Sequence, residues 1–207
     1  MANDRFKNKA STYDKAQRRR DNVDNIAHGI INHIQLMPTM HIMDFGSGTG
    51  LLLERLAPFV NKITAIDISP SMNEQLENKR CTLQCELEIL PINIDSNKWK
   101  NHHNNQFDGI ISSMTLHHIK DIQPLLNTFY ATLKPNGFIA LADLFTEDGS
   151  FHTKESGIYH YGFDPTEISA LAARSGFINI DIQQISHVKK PQGDYPVFLL
   201  TAIKESL

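Results

Sequence analysis

The chain has 207 residues, a length that fits one domain able to bury a sizeable core. Its 41% hydrophobic and 21% charged residues are those of an ordinary globular protein, and no apolar run reaches the roughly 20 residues of a membrane-spanning helix. The net charge of −3 argues against a dedicated nucleic-acid binder, which needs clustered Lys and Arg to meet phosphates.

The polar stretch 1–9 lacks the apolar core of a signal peptide, which predicts a cytoplasmic chain. Val23, Ile26, Ala27, Ile30, Ile31 and Ile34 recur at helical spacing and predict an amphipathic helix over 18–36, ended by Pro38. His41 to Phe45 reads as a strand, and Leu51 to Ala57 as a helix stopped before Pro58. Lys62 to Ile68 is a second strand. Ser69-Pro70 then supplies an N-cap and a first-position proline for a helix running to about Lys79. The two cysteines, Cys81 and Cys85, fit ordinary thiols in a reducing compartment. Glu86 to Ile94 is a third strand, followed by a polar loop over 96–106 and a fourth strand from Phe107 to Ser112.

Asp121 can cap a helix whose apolar face is Ile122, Leu125, Leu126, Phe129, Tyr130 and Leu133, and Lys134-Pro135-Asn136-Gly137 reads as the turn that ends it. Phe138 to Phe145 is a fifth strand. Thr146 to Phe163 is polar and aromatic, the composition of a loop or lid. Asp164-Pro165-Thr166-Glu167 opens another helix, with an N-cap, a proline and an N3 carboxylate. Phe177 to Ser186 and Tyr195 to Lys204 are strands around a turn at 189–193; with no helix between them they must run antiparallel.

Alternating strands and helices that end in a hairpin predict an α/β fold: one doubly wound, mostly parallel seven-stranded sheet with helices on both faces. The expected organisation is a single unit over 1–207. It divides into a helical cap (1–36), a cofactor-binding core (37–145), a lid or acceptor loop (146–163) and a terminal helix with its hairpin (164–207).

The most informative stretch is Asp44-Phe45-Gly46-Ser47-Gly48-Thr49-Gly50. It lies where a strand turns into a helix. Glycines there let the backbone approach a ligand where a side chain would collide, and the helix start presents free N–H groups. A dinucleotide turn needs G-x-G-x-x-G; here the third glycine falls one position early, at Gly50, and position 51 is Leu. Asp67 closes the second strand twenty-one residues after Gly46, where an acid can accept hydrogen bonds from ribose hydroxyls. The D-x-G-x-G-x-G spacing favours S-adenosylmethionine over a nicotinamide cofactor, since no pyrophosphate needs cradling.

DFGSGTG, AIDISPSM, the acid at Asp95, FDGIISSMTLHHI and LKPNGFIALAD, in this order, resemble the class I S-adenosylmethionine-dependent methyltransferases. The similarity is greatest to the small-molecule branch that includes ubiquinone and menaquinone methyltransferases, and it runs from about Arg5 to the last strand. The resemblance implies a Rossmann-like transferase with a cofactor site made by Gly46, Ser47 and Gly48 under the methionine part and Asp44 at its ammonium end. It further implies Asp67 on the ribose, Ile68 and Met72 against adenine, Asp95 on the adenine amino group, and Ser112 with its backbone facing the methionine part. Phe6, Ala10 and Tyr13-Asp14 resemble an entry segment whose tyrosine lies over the cofactor. Each position also has a plain structural reading, as a cap, a core side chain or a loop acid. The Arg18-Arg19-Arg20 run is either a partner for the cofactor carboxylate or a solvated helix start.

A sulfonium methyl is already electrophilic, so the protein need only hold an acceptor in line, exclude water and, where required, take a proton. His117 and His118, just past the fourth strand, are candidate bases. His160 and Tyr161 in the loop are candidate acceptor contacts, which makes His160 a third catalytic candidate. No recognised metal-ligand spacing is present, and a metal is not expected. Ser112-Ser113-Met114-Thr115 is not the Pro-containing run of nucleic-acid amino-methylating enzymes, so a small-molecule acceptor is expected. The alternatives are a non-catalytic cofactor-binding partner subunit and a nicotinamide-dependent oxidoreductase.

Overall fold

The computed structural model describes residues 4, 6–93, 104–152 and 157–206. Their helices and strands follow in the order α1 (Gln17–His33), β1 (His41–Phe45), α2 (Leu51–Leu56), β2 (Lys62–Ile66), α3 (Pro70–Glu77), β3 (Glu86–Leu90), β4 (Phe107–Ser113), α4 (Ile122–Thr132), β5 (Leu133–Leu144), α5 (Pro165–Arg174), β6 (Phe177–Lys190) and β7 (Gly193–Lys204). Short 3-10 turns add Ala10–Lys15, Ala57–Phe59, Arg80–Thr82 and Leu116–His118.

The strands form one sheet in the order β3-β2-β1-β4-β5-β7-β6. Pairings from β3 through β5 are parallel, while β7 runs antiparallel to both β5 and β6. The mostly parallel sheet with an antiparallel terminal hairpin agrees with the sequence reading. One core, on the face covered by α1 and α2, is built on Val23, Ile26, Ile30, Leu52, Leu53 and Leu56. The other, under α4 and α5, is built on Leu125, Leu126, Phe129, Ile168 and Ala172. Each set repeats at helical spacing, so each helix presents one apolar stripe to the sheet. The hairpin lets α1 settle closely: a Cβ on Gly29 would sit 3.2 Å from Ile185 and 3.3 Å from Leu199.

Several boundaries differ from the sequence reading. α2 ends at Leu56, before Pro58 as expected and one residue short of Ala57; Pro58 lies in the 3-10 turn Ala57–Phe59, which proline enters readily at its first positions. β2 ends at Ile66, which frees Asp67 for a loop. The segment Lys134-Pro135-Asn136-Gly137 does not separate helix from strand, because β5 starts at Leu133. Its pairing with β4 jumps from Phe107↔Leu133 to Gly109↔Phe138, so these four residues bulge out of the ladder. Asn136 turns the bulge with φ 61°, and the Phe138 ring then covers Gly109, where a Cβ would lie 2.1 Å from it. β6 and β7 reach further than expected, to Lys190 and from Gly193, which leaves a two-residue connection.

Two helix starts follow the cap logic. Ser69 Oγ accepts from Met72 N–H at 3.3 Å. Asp164 Oδ1 accepts from Thr166 N–H at 2.8 Å and Glu167 N–H at 3.1 Å. Asp121 precedes α4 without a side-chain cap bond. Asp164→Ala is expected to lower stability by about 1 kcal/mol, the usual worth of such a cap, read as a shift in the urea midpoint at unchanged slope.

Candidate active site

The strand order reverses direction between β1 and β4, and both strands end at the same edge. In open α/β sheets the crevice outside such a switch point is where ligands bind. The glycine turn leaves β1 there, with φ of 71° at Gly46, 55° at Gly48 and 81° at Gly50. Gly46 and Gly50 are packed against protein: a Cβ would lie 2.3 Å from Thr115 and 2.5 Å from Leu76. Gly48 differs, because its Cβ direction points into open space.

Two carboxylates flank that space. Asp44, at the end of β1, is 2% exposed, and its Oδ2 is buried without a hydrogen-bond partner. Burial, reinforced by the negative charge of Asp67, pushes its pKa up to about 8. Asp67 accepts from Gly48 N–H through Oδ2 and from Ser69 N–H through Oδ1, both at 2.8 Å. Burial raises its pKa, against the pull of those two N–H groups. Each oxygen keeps a second lone pair for a ligand. This arrangement suits a pyrophosphate poorly: the Gly48 N–H is already taken by the Asp67 carboxylate, whose charge would repel it.

Asp4 and residues 6–20 close over this edge. Asp4 Oδ1 accepts from Ser69 Oγ at 2.8 Å and Phe6 N–H at 3.1 Å, and its Oδ2 accepts from Ser71 N–H at 3.0 Å. Burial works against its charge, but the hydrogen bonds outweigh it and bring its pKa down to about 2. Asp14 accepts from Thr49 Oγ1 at 2.5 Å and pairs with Lys79 at 2.7 Å, tying the segment to the glycine turn and to the residue just past α3. Tyr13 is half-buried beside them. Burial raises its pKa, the Arg19 charge opposes this, and the charges of Asp67 and Asp14 reinforce it. The Arg19 guanidinium stacks 3.6 Å from the Tyr13 ring centroid and donates to the Tyr13 carbonyl. Arg20 donates to the Asp14 carbonyl at 2.6 Å, so two of the three arginines fasten the entry segment.

The other expected cofactor residues divide. Ile68 is 72% exposed at the rim, whereas Met72 is 2% exposed and packed inside, so only Ile68 offers an open apolar surface. Ser112 is fully buried, its Oγ donating to the Phe45 carbonyl at 2.8 Å, which leaves it only a backbone role. Ser47 Oγ is buried without a partner. Asp95 lies outside the described residues.

Beyond Thr115 the turn Leu116–His118 begins a histidine pile. His117 is 2% exposed; its Nδ1–H donates to Asp143 Oδ1 at 2.8 Å, and its N–H to Asp143 Oδ2 at 3.2 Å. Asp143, the last acid of β5, is fully buried and also accepts from Leu144 N–H at 2.8 Å. The His117 ring lies 4.3 Å from His118 and 4.6 Å from His152, centroid to centroid. His118 Nδ1–H donates to the Gly157 carbonyl at 3.2 Å.

His160, expected as a catalytic candidate, does not join this pile. Its Nε2–H donates to the Ile119 carbonyl at 2.9 Å and the Lys120 carbonyl at 3.2 Å, so it fastens the loop. Tyr161 is 57% exposed at the same loop. The sequence reading did not name Asp143 as a site residue, although a carboxylate inside the apolar run IALADLF is itself a signal, and it weighed His152 only within the loop and as a weak metal ligand beside His160. Among the described residues no group of three or more His, Cys, Asp or Glu is arranged to hold a metal, and no helix is long and apolar enough to cross a membrane.

This geometry agrees with the comparisons. Residues 43–139 match the family model described as a methyltransferase domain. An uncharacterized methyltransferase of Schizosaccharomyces pombe is 31% identical over 170 residues, covering 73% of this chain and 58% of its own length. The malonyl-[acyl-carrier protein] O-methyltransferase of Dechloromonas aromatica is 30% identical, with 96% and 73% covered. The structure of Haemonchus contortus phosphoethanolamine N-methyltransferase 2 in complex with S-adenosyl-L-methionine superposes with TM-score 0.69 at 18% identity, covering 88% of this chain and 52% of that one. The chain thus spans little more than half of some of these relatives. With its glycine turn, its two flanking carboxylates and its sheet order, the chain belongs to the class I S-adenosylmethionine-dependent methyltransferases.

Proposed function

We propose that this chain moves the methyl group of S-adenosylmethionine onto a small-molecule acceptor held between the glycine turn and the segments 146–152 and 157–163. The observation that carries this reading is the open space in front of Gly48, whose N–H Asp67 holds, together with the buried, unpartnered oxygen of Asp44, which feels the Asp67 charge. When bound, the cofactor supplies an electrophilic methyl on a positively charged sulfur. In this reading Asp44 meets the cofactor's ammonium, Asp67 its ribose hydroxyls, Ile68 its adenine, and Tyr13 covers it from the entry segment. Gly48 keeps the floor of the site free of a side chain, and Gly46 lets Thr115 pack against the turn. The histidines beyond Thr115 stand on the acceptor side, because Thr115 itself touches Gly46.

The test is calorimetric binding of S-adenosylmethionine and NAD(H) to the full chain, together with release of S-adenosylhomocysteine on adding small metabolites. Tight NAD(H) binding without S-adenosylmethionine binding would overturn the proposal. Cofactor binding with no turnover on any metabolite or cell extract would leave a binding subunit instead of an enzyme.

Asp44 adds a pH signature. Its raised pKa means that the free protein carries a proton there at pH 7. An ammonium beside it favours the carboxylate, so binding must expel that proton. Affinity is therefore expected to rise from pH 6 to about 8, with about one proton released per cofactor at pH 7. Above that the gain is lost, because the cofactor's α-amino group deprotonates at roughly 7.7–8.0. Calorimetry in buffers of different ionisation heat reads the proton directly, and Asp44→Asn should abolish its release.

A further inference from the structure

The histidine pile places three imidazoles and one buried carboxylate in a single contact group. His118 and His152 lie 6.1 Å apart and each also packs on His117, which is anchored to Asp143. Because His117 and His118 each donate through Nδ1, their Nε2 atoms carry lone pairs when neutral. His152 has a buried Nε2 with no hydrogen-bond partner. Such an atom costs free energy unless something meets it. Resting on the methyl-transfer reading above, we propose that His152 receives the hydroxyl of an O–H acceptor of phenol or enol type, that His117 positions it, and that Asp143 stabilises the proton it takes.

The charges around the pile favour this acceptor class. His152 faces His117, His118, Lys190 and Asp143. Burial first, then the two histidines and Lys190, hold its pKa down to about 4, and Asp143 alone opposes them. His152 is therefore neutral at pH 7 and can accept a hydrogen bond. An ammonium acceptor would meet the Lys190 charge beside His152, and Asp143 is already committed to His117 and Leu144. Glu147 accepts from Phe151 N–H at 3.1 Å through Oε2 and keeps a buried Oε1 without a partner, but it interacts with Lys190, which itself packs 3.4 Å from the Phe151 ring centroid. A neutral hydroxyl carries no such penalty, yet it must lose a proton to become a strong nucleophile: a phenol titrates near 10.

In the step, the acceptor oxygen bonds to the methyl carbon and the carbon–sulfur bond breaks, its electron pair staying on sulfur. The hydroxyl proton passes to the lone pair of His152 Nε2. The sulfonium charge thus leaves as a proton, and the Asp143 carboxylate is the counter-charge for it within the pile. One carboxylate matches one proton, so the pile acts as a single acceptor.

The test uses the full chain with saturating S-adenosylmethionine and three phenols of graded acidity: 4-nitrophenol, 4-chlorophenol and phenol. Benzylamine and benzyl mercaptan are the controls. Phenol turnover is expected to exceed both, with His152→Gln lowering kcat about 100-fold, within the usual range for a general base. Asp143→Asn should weaken the base and move the acid limb of the kcat/KM profile to lower pH, since its charge holds the proton. Cofactor affinity in both variants should stay within about twofold of the parent. NMR of the His152 imidazole, with S-adenosylhomocysteine bound, gives a second reading that needs no turnover. Preference for benzylamine or benzyl mercaptan overturns the proposal. So does a panel in which no phenol reacts or shifts the His152 signals, or an Asp143→Asn profile that does not move. Failure to bind S-adenosylmethionine at all overturns the underlying reading and this one with it.

Discussion

Gly48→Ala is expected to leave the fold standing and to weaken S-adenosylmethionine binding about 100-fold, which is roughly 2.8 kcal/mol at 1.4 kcal/mol per factor of ten. The reasoning separates two costs that usually come together. A left-handed φ of 55° penalises any L-residue, by about 1–2 kcal/mol. A native Cβ clash would add to this, but at Gly48 there is no heavy atom for the new methyl to meet. Folding therefore loses little, while the methyl projects into the space assigned to the cofactor. The neighbours behave differently. Gly46→Ala drives a methyl into Thr115, and Gly50→Ala drives one into Leu76, so both should lose stability as well as affinity. Thermal unfolding and calorimetry, run in parallel on the three variants, distinguish these patterns. A Gly48→Ala chain that binds as tightly as the parent would place the cofactor elsewhere.

The cofactor half of the site was legible in the sequence because local chemistry fixes it. Three glycines at a strand-to-helix turn announce positive φ, and an acid just past the next strand announces Asp67; both features are confined to a few neighbouring residues. The acceptor half was less legible because it depends on tertiary neighbours. His117 and Asp143 are 26 residues apart and meet only because β4 and β5 pair in parallel, so that the ends of both strands reach one point. His152 joins them through a loop whose path no periodicity signals. His160 shows the converse case. It has the right residue type in the right segment, but backbone carbonyls at positions 119 and 120 capture its ring nitrogen. The Lys134–Gly137 bulge misled in another way. Its residues favour turns, and they do turn, but inside a strand whose first pairing at Leu133 precedes them.

Asp67→Ala is expected to produce the largest combined loss, because this carboxylate serves the fold and the ligand together. Its removal strips the acceptors from Gly48 N–H and Ser69 N–H. At about 1–3 kcal/mol for each of the two part-buried donors left unmet, stability should fall by roughly 2–6 kcal/mol. The Gly48 turn loses the contact that shapes it, and the ribose loses its acceptor, so affinity should fall by about 100- to 1,000-fold. Asp67→Asn keeps one acceptor oxygen but turns an NH2 group toward the other N–H, so it should fall between the parent and the alanine variant. A further consequence separates a site effect from mere unfolding. The charge of Asp67 contributes to the raised pKa of Asp44, second to burial. Without it, Asp44 ionises at lower pH in the free protein, and fewer protons remain to be expelled at pH 7. The residual cofactor binding of Asp67→Ala should then rise and level off at lower pH than the parent's, with a smaller proton release. A variant that loses affinity but keeps the parent's pH profile would show that the two carboxylates do not act on one ligand.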